Sequence, residues 1–497
     1  MRRNKDSLKF ILGLKLKDLR AKKGLSLKEL ASMSGLSSSY LNEIEKGKKY
    51  PKVEKLLSLA RGLKVSLDDL TSVRISKKLK PILEFIESDL YNRLPLDAFG
   101  LTDQDLFELM SGAPEKFSSF IMALQGLARF HDFSMDKFHK IALRSYKELN
   151  GNYFPEIETI ARVTRSQYFN ETPLSIEGLK KVLEEKFHYN IDTTTLGEDS
   201  TLTKLRSLYK EGPPHHLLLG GNLKDSHILF ILAKELGSCV MGLPKTVLGG
   251  KNLYDQTFNE ILSDYKSSYF SGSLLINENE LAADMRGFFG NSDFNGQDLL
   301  KIKAKYAAGT EVFMQRLTQI LPTHFGLDQL FFLKFNNPFL SSNPNKITLS
   351  QEIHLGGVHN PHGVEQNEHY CRRWITVALL NELAKGDNRE RTHIVEAQKS
   401  IMIENGSTYF CISVAMPSKR KDDMNSCVTI GMRCNEQFQN SAKFWNSSEV
   451  RTKEVSQTCE RCPITDCDDR ACAPSIYLES QSDKQIKEKI TSLLNLL

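Results

Sequence analysis

The chain has 497 residues, 40% hydrophobic and 26% charged, an ordinary balance for a water-soluble protein of about three domains. No apolar run approaches the roughly 18 to 20 residues that cross a bilayer, and the N-terminal MRRNKDSLKF lacks the apolar core and cleavage site of a secretion signal. A cytoplasmic protein with no membrane partner is expected. Residues 1–80 hold 21 Lys/Arg against 8 Asp/Glu, a net +13, whereas the remainder holds 45 against 53, a net −8. A basic head on an acidic body points the head at a polyanion.

Residues 1–72 read as an all-α head of five short helices, each with its own punctuation. Leu8–Lys22 is stopped by Gly24. Ser26 caps Leu27–Met33, which Gly35 stops, and Ser37 caps Ser38–Lys46, which Gly47 stops. Pro51 precedes Val53–Leu63, and Ser66 opens a last turn through Leu70. This order suits a helix-turn-helix, in which the second helix of the pair enters the major groove. Ala31 supplies the small residue, Gly35 the turn, Leu36 its plug, and Leu41 and Ile44 the inner face. Ser38, Ser39, Tyr40 and Asn42 are then left facing outward, with side chains that donate to and accept from base edges. Lys46, Lys48 and Lys49 lie at the end of that helix, placed for phosphates. Glu45 is expected to pair with Arg20.

The run Leu25-Ser26-Leu27-Lys28-Glu29-Leu30-Ala31, followed by Gly35 through Gly47 and by Pro51, resembles the lambda-repressor-like (XRE) family over about 60 residues. The resemblance implies a five-helix domain that binds a two-fold operator in double-stranded DNA as a homodimer. Leu27 stands where many members carry a glutamine that contacts the operator backbone.

Residues 73–150 read as a helical connector or dimerisation region, from the helical spacing of Ile82, Phe85 and Ile86 and of Phe117, Phe120, Ile121 and Leu124. Residues 151–290 mix helical periodicity with short apolar runs such as Leu217-Leu218-Leu219. The segment Ile228–Ser238 resembles the metal-binding helix of a zinc peptidase family often fused to such heads. Lys234 and Ser238 stand where its H-E-x-x-H motif needs histidines. Glu235 remains, but a base without a metal has nothing to activate. The stretch Tyr269–Leu275 resembles that family's later F-A-x-x-L-L. A degenerate α+β peptidase-like domain that is not an enzyme is expected.

Residues 291–482 alternate strand-like segments (Phe331–Leu333, Thr408–Val414, Cys427–Met432) with helices, an α+β sensor domain. Residues 483–497 read as an amphipathic helix. His354, His359 and His362 are expected on loops or the surface. Cys239, Cys371, Cys411, Cys427 and Cys434 are scattered and read as buried small hydrophobes. Four further cysteines crowd into Cys459–Cys472. Thiolates spaced as in Cys459, Cys462 and Cys467 can converge on an Fe–S cluster or Zn²⁺, with Cys472 or an external group as fourth ligand; a tight turn of packed cysteines without metal is the alternative.

That run, with Arg470 and Pro474, resembles the C-x-x-C-x-x-x-x-C-x-x-R signature of the short-chain fatty acyl transcriptional regulators, in which Cys472 has no counterpart. The same family joins an XRE head, a degenerate peptidase-like domain and a sensor, and the resemblance implies control of short-chain acyl-CoA or carboxylate metabolism. Arg372, Arg373 and Trp374 are candidate residues for a short-chain acyl-CoA effector, which needs cations for its phosphates and an apolar slot. The expected function is a DNA-binding transcriptional regulator responding to a metabolite or redox signal. The alternatives are a metal-dependent protease acting on a regulatory partner and an antitoxin-like autoregulatory DNA-binding protein.

Overall fold

The computed structural model describes residues 2–72, 79–87, 91, 96–112, 114, 117–118, 121, 135–170, 173–198, 202, 205–221, 223–245, 257–338, 347–356, 368–384, 393–418 and 424–494. His359, His362, Phe120 and Leu124 lie outside these residues. The chain divides into two compact units, residues 1–146 with 252–261, and residues 147–251 with 262–497.

In the first unit, α1 (Arg2–Lys22) is followed by α2 (Leu27–Ser34), α3 (Ser38–Glu45), α4 (Val53–Leu63) and α5 (Leu67–Thr71). The stops fall where the glycines put them: Gly24, Gly35 and Gly47 all take positive φ, the left-handed conformation that costs other residues energy. The caps are side-chain oxygens. Ser26 and Glu29 form a reciprocal capping box, and Ser37 accepts from the Tyr40 amide. α1 starts at Arg2, earlier than the apolar pattern indicated.

Helix α1 serves two cores. Leu12 and Leu16 pack with Leu30, Leu41, Ile44, Leu59 and Leu63. Phe10 and Leu14 pack instead with Ile82, Phe85 and Ile86 of α6 (Lys80–Glu87) and with Phe107 and Met110 of α7 (Asp103–Gly112). Phe10 stacks on Phe107 at 4.4 Å between ring centroids. Part of the segment expected as a connector thus shares the first helix of the head. α8 (Met135–Leu149) follows.

The second unit opens with α9 (Pro155–Tyr168), α10 (Ile176–Phe187), β1 (Tyr189–Asp192), α11 (Thr195–Glu198), β2 (Ser207–Lys210), β3 (His215–Leu219) and α12 (Asp225–Val240). Its small sheet has the order β1-β3-β2, with β1 parallel and β2 antiparallel to β3. Next come α13 (Phe258–Leu275), α14 (Glu278–Phe289), α15 (Gly296–Ala304) and α16 (Thr310–Phe325).

A six-stranded sheet then forms from β4 (Leu330–Pro338), β5 (Thr348–His354), β6 (Ile394–Met402), β7 (Thr408–Met416), β8 (Met424–Arg433) and β9 (Arg451–Val455), in the order β5-β4-β8-β7-β6-β9. It is antiparallel except where β9 joins β6. Helix α17 (Ile375–Ala384) buries Ile375, Val377, Leu379, Leu380 and Leu383 against Phe331, Leu333, Tyr409 and Cys411 of this sheet. α18 (Glu436–Ser441) and α19 (Ser475–Leu494) complete the unit, and α19 has no buried residue.

Residues 151–251, 262–290 and 291–482 belong to this one unit. Arg316 of α16 is fully enclosed and grips Glu158 of α9 through two bonds of 2.5 and 2.8 Å, with Tyr269 and Ser273 also donating to that carboxylate. A buried charge requires such partners. His354 departs from the surface role expected of it: it is 4% exposed at the end of β5, 3.3 Å from Glu352.

Candidate nucleic-acid interface and thiol centre

The first candidate site is built on α3. Leu41 and Ile44 are fully buried, so the helix is held by its inner face and its opposite face is free. Gly13 lets α1 cross close behind it: a Cβ there would stand 2.3 Å from the Ile44 carbonyl oxygen. Glu45 meets Arg20 through paired bonds of 2.6 and 2.9 Å, and Arg20 also donates to the Leu25 carbonyl at 2.8 Å. That pair locks α3 to α1.

On the outer face Ser39 and Asn42 are exposed and Ser38 is half-buried. Tyr40 is placed differently from a free reading residue: it packs against the core, with the Lys55 ammonium 4.1 Å from its ring centre. Lys49 pairs with Glu43 at 2.8 Å, and Lys48 pairs with Glu108 of α7 at 2.5 Å. Lys46 is half-buried and its carbonyl accepts from Gln104 of α7. The contribution of α7 to the end of the reading helix has no signature in the sequence, because Gln104 and Glu108 lie about 60 residues downstream.

The second candidate site joins two distant segments. The Cys459 amide donates to the His369 carbonyl at 2.9 Å and the Cys371 amide to the Gln457 carbonyl at 3.2 Å, across an antiparallel bridge between Tyr370 and Thr458. Trp374 donates its indole N–H to the Ser456 carbonyl at 2.9 Å, and Arg461 forks onto Glu368 at 2.6 and 2.8 Å. This pairing sets Cys371 beside the cysteine run. One cavity is lined by Cys371, Cys459, Cys462 and Cys467 together with Arg372, Arg373, Asp469 and Arg470. Cys371 is buried as expected, but its neighbours are thiols, so it is a fourth candidate ligand that the sequence reading missed. Trp374 is 4% exposed and belongs to the sheet core, while Arg372 and Arg373 face the thiol cavity.

Burial and nearby donors act in opposite directions on the thiols of this cavity, and burial dominates. Burial pushes the Cys371 thiol up to about 11, opposed by the backbone amides of Ser456 and Arg373. Burial likewise raises Cys462, opposed by the Ile464 amide and the Arg470 charge. The Ala471 amide points at Cys459 Sγ, 3.3 Å away. Among the described residues no three of these four sulfurs lie within 4.8 Å of one another. A single Zn²⁺, bonded to each thiolate at about 2.3 Å, would draw them to about 3.8 Å. Cys472 is not among the residues lining this cavity and is grouped with His369 and Glu460.

The helix that resembles a zinc peptidase is α12. Lys234 forms an ion pair with Asp264 of α13, and the Ser238 hydroxyl returns to the Lys234 carbonyl at 3.2 Å. Glu235 accepts from Tyr189 at 3.0 Å and from Lys245 at 2.9 Å. Burial raises the Glu235 carboxyl and lowers the Lys245 amine, and their contact opposes both shifts. The helices cross tightly where Gly237 meets Phe270, with a Cβ position only 2.5 Å from the ring. The Lys245 ammonium thus occupies the Glu235 carboxylate.

A helix-turn-helix family model matches residues 16–70. These residues are an XRE-type helix-turn-helix domain. Two solved structures are similar to the chain. A Mycobacterium tuberculosis transcriptional regulator is 14% identical over 67% of this chain and 92% of its own, with a TM-score of 0.46. The restriction-modification controller protein C.AhdI from Aeromonas hydrophila is 38% identical over 13% of this chain and 92% of its own, with a TM-score of 0.12. No curated protein matches. Among the described residues no helix is long and apolar enough to cross a membrane.

Proposed function

We propose that the chain is a sequence-specific transcriptional regulator, and not an enzyme, that reads an operator in double-stranded DNA with α3. The observation that carries this is the free outer face of α3, with Ser39 and Asn42 exposed, in a domain matched by the helix-turn-helix family. Ser38, Ser39 and Asn42 supply the base contacts; Lys46, Lys48 and Lys49 supply phosphate contacts. An operator selected from random sequence by the full chain should lose its preference over random DNA in a Ser39→Ala/Asn42→Ala variant while residual, salt-sensitive binding persists. Equal preference in variant and parent overturns the assignment of α3.

The signal is proposed to enter through the thiol centre. Cys371, Cys459, Cys462 and Cys467 would hold an Fe–S cluster, which would supply a group sensitive to oxidants and iron supply. Arg372, Arg373 and Arg470 offset its negative charge, and the Ala471 amide donates to a ligand sulfur. Protein prepared without oxygen should show broad visible absorbance and bound iron, both lost in Cys371→Ala as in Cys462→Ala; iron retained in Cys371→Ala overturns the four-cysteine set. A short-chain acyl-CoA remains the effector class that the family resemblance suggests. In that reading Arg372 and Arg373 link phosphate binding to the cluster wall, and Trp374 acts only as the core anchor of that segment. A homodimer is proposed from the same resemblance. The response is a shift in population between dimers competent and incompetent for the operator.

A further inference from the structure

We propose that His369, Glu460 and Cys472 form a second metal site, for Zn²⁺ or a similar borderline divalent cation, separate from the four-cysteine centre. One ligand atom from each of the three residues lies within 4.8 Å of the others. None of the three lines the thiol cavity. The donor set is one imidazole nitrogen, one carboxylate oxygen and one sulfur, which suits Zn²⁺ better than a hard cation or an Fe–S cluster.

The backbone holds these donors in place before any ion arrives. The His369 amide donates to both Glu460 carboxylate oxygens, at 3.2 and 3.0 Å, and His369 Nδ1 lies 2.8 Å from Oε1. The Cys459 amide ties the same stretch to the His369 carbonyl, and the Tyr477 amide donates to the Glu460 carbonyl at 3.0 Å. Cys472 completes the group, its sulfur within 4.8 Å of the other two donor atoms. Such support is what a metal site requires of the residues around its ligands. Glu460 is 8% exposed, whereas His369 and Cys472 are half-buried, so the ion has a path from solvent and a fourth position can hold water.

The proton balance is simple. The cation takes the place of the proton between Nδ1 and the carboxylate and of the thiol proton. Starting from a neutral imidazole, an ionised carboxylate and a thiol, the Nδ1 proton moves to Nε2 and one proton is released, from sulfur. No electron moves. The bound ion would tie residue 369, the turn after Cys459 and the loop entering α19 to one point. Metal occupancy there would set the order of the loop that also presents Cys459, Cys462 and Cys467.

The test uses full-length Cys462→Ala/Cys467→Ala protein, which disables the thiol centre, titrated with Co²⁺ as a spectroscopic probe and then with Zn²⁺. The proposal expects one Co²⁺ per chain with visible d–d bands and the charge-transfer band of a single thiolate. It also expects displacement by Zn²⁺, and loss of the signal on adding Cys472→Ala, His369→Gln or Glu460→Gln. A folded chain that binds no Co²⁺, or a signal that survives Cys472→Ala, overturns it. If the double variant does not fold, the native chain loaded with zinc and prepared without oxygen decides. Zinc lost in Cys472→Ala while iron is unchanged supports the site; zinc absent from the parent, or retained in the variant, overturns it.

Discussion

The lock between α1 and α3 offers a quantitative test of how the reading helix is held. Arg20 and Glu45 retain 15% and 6% of their side-chain exposure, so each is nearly withdrawn from water. Removing one partner of such a pair leaves a buried charge uncompensated, which costs about 3 to 5 kcal/mol in full burial. The residual exposure of Arg20 places Glu45→Met near the bottom of that range, at about 3 kcal/mol. Arg20→Met should cost slightly more, about 4 kcal/mol, because it strands the better-buried carboxylate and also leaves the Leu25 carbonyl without its donor. The double variant removes both charges and leaves only that carbonyl and minor repacking, about 1 kcal/mol. It should therefore be more stable than either single variant. Both tryptophans, Trp374 and Trp445, lie outside residues 1–146, so indole fluorescence does not report this unit. Native-state hydrogen exchange at the amides of α3 does. Operator affinity should follow the same order, with the double variant nearest the parent. Losses that add within about 0.5 kcal/mol would refute the reasoning, since independent sites behave that way.

Three further outcomes follow from the same geometry. Glu108→Gln frees Lys48 from its partner in α7; DNA binding should tighten severalfold at low salt and its salt dependence should steepen, as measured by fluorescence anisotropy, and an unchanged slope would remove Lys48 from the phosphate contacts. Gly13→Ala should destabilise the first unit by about 1 to 2 kcal/mol, because overpacking against the Ile44 carbonyl outweighs the roughly 1 kcal/mol gain in helix propensity; exchange protection in α3 reads this. Burial pushes the Lys147 amine down to about 8. Between that value and the ordinary lysine value near 10.5 the unfolded chain binds more protons than the folded one, so native stability rises with pH across this window. The cost of charging is fully present at pH 7, and Lys147→Met should therefore stabilise the second unit at pH 7 and lose its advantage as pH climbs through 8 to above 10. Tryptophan-monitored unfolding of variant and parent across that range checks the sign.

The contrast between the two candidate sites shows which kinds of information a single sequence carries. The head was legible because its determinants are local. Gly24, Gly35 and Gly47 take the left-handed conformation at the ends of the helices they stop, and Ser26 and Ser37 cap helices within three residues of themselves. The longer Arg20–Glu45 contact, expected from the sequence, also forms. The apolar runs around Phe331, Thr408 and Cys427 likewise announced β4, β7 and β8, since burial on a sheet acts within each strand. The half-burial of Tyr40, with Lys55 fifteen positions away over its ring, was not legible because no local pattern announces that contact.

The thiol centre was half legible for a different reason. The spacing of Cys459, Cys462 and Cys467 is itself a signal, but Cys371 sits 88 positions before Cys459 and joins it only through the bridge of Tyr370 to Thr458. Pairing between distant segments is settled by register, and register is fixed by burial and hydrogen bonding that no short window contains. One clue was present. In Cys371-Arg372-Arg373-Trp374 a cysteine stands next to two cations, an uncommon setting for a residue meant only to fill apolar space. The arginines and Cys371 share a cavity with the cysteine run. Cys472 shows the converse: its position in the run suggested a fourth ligand, yet the fold turns it to His369 and Glu460.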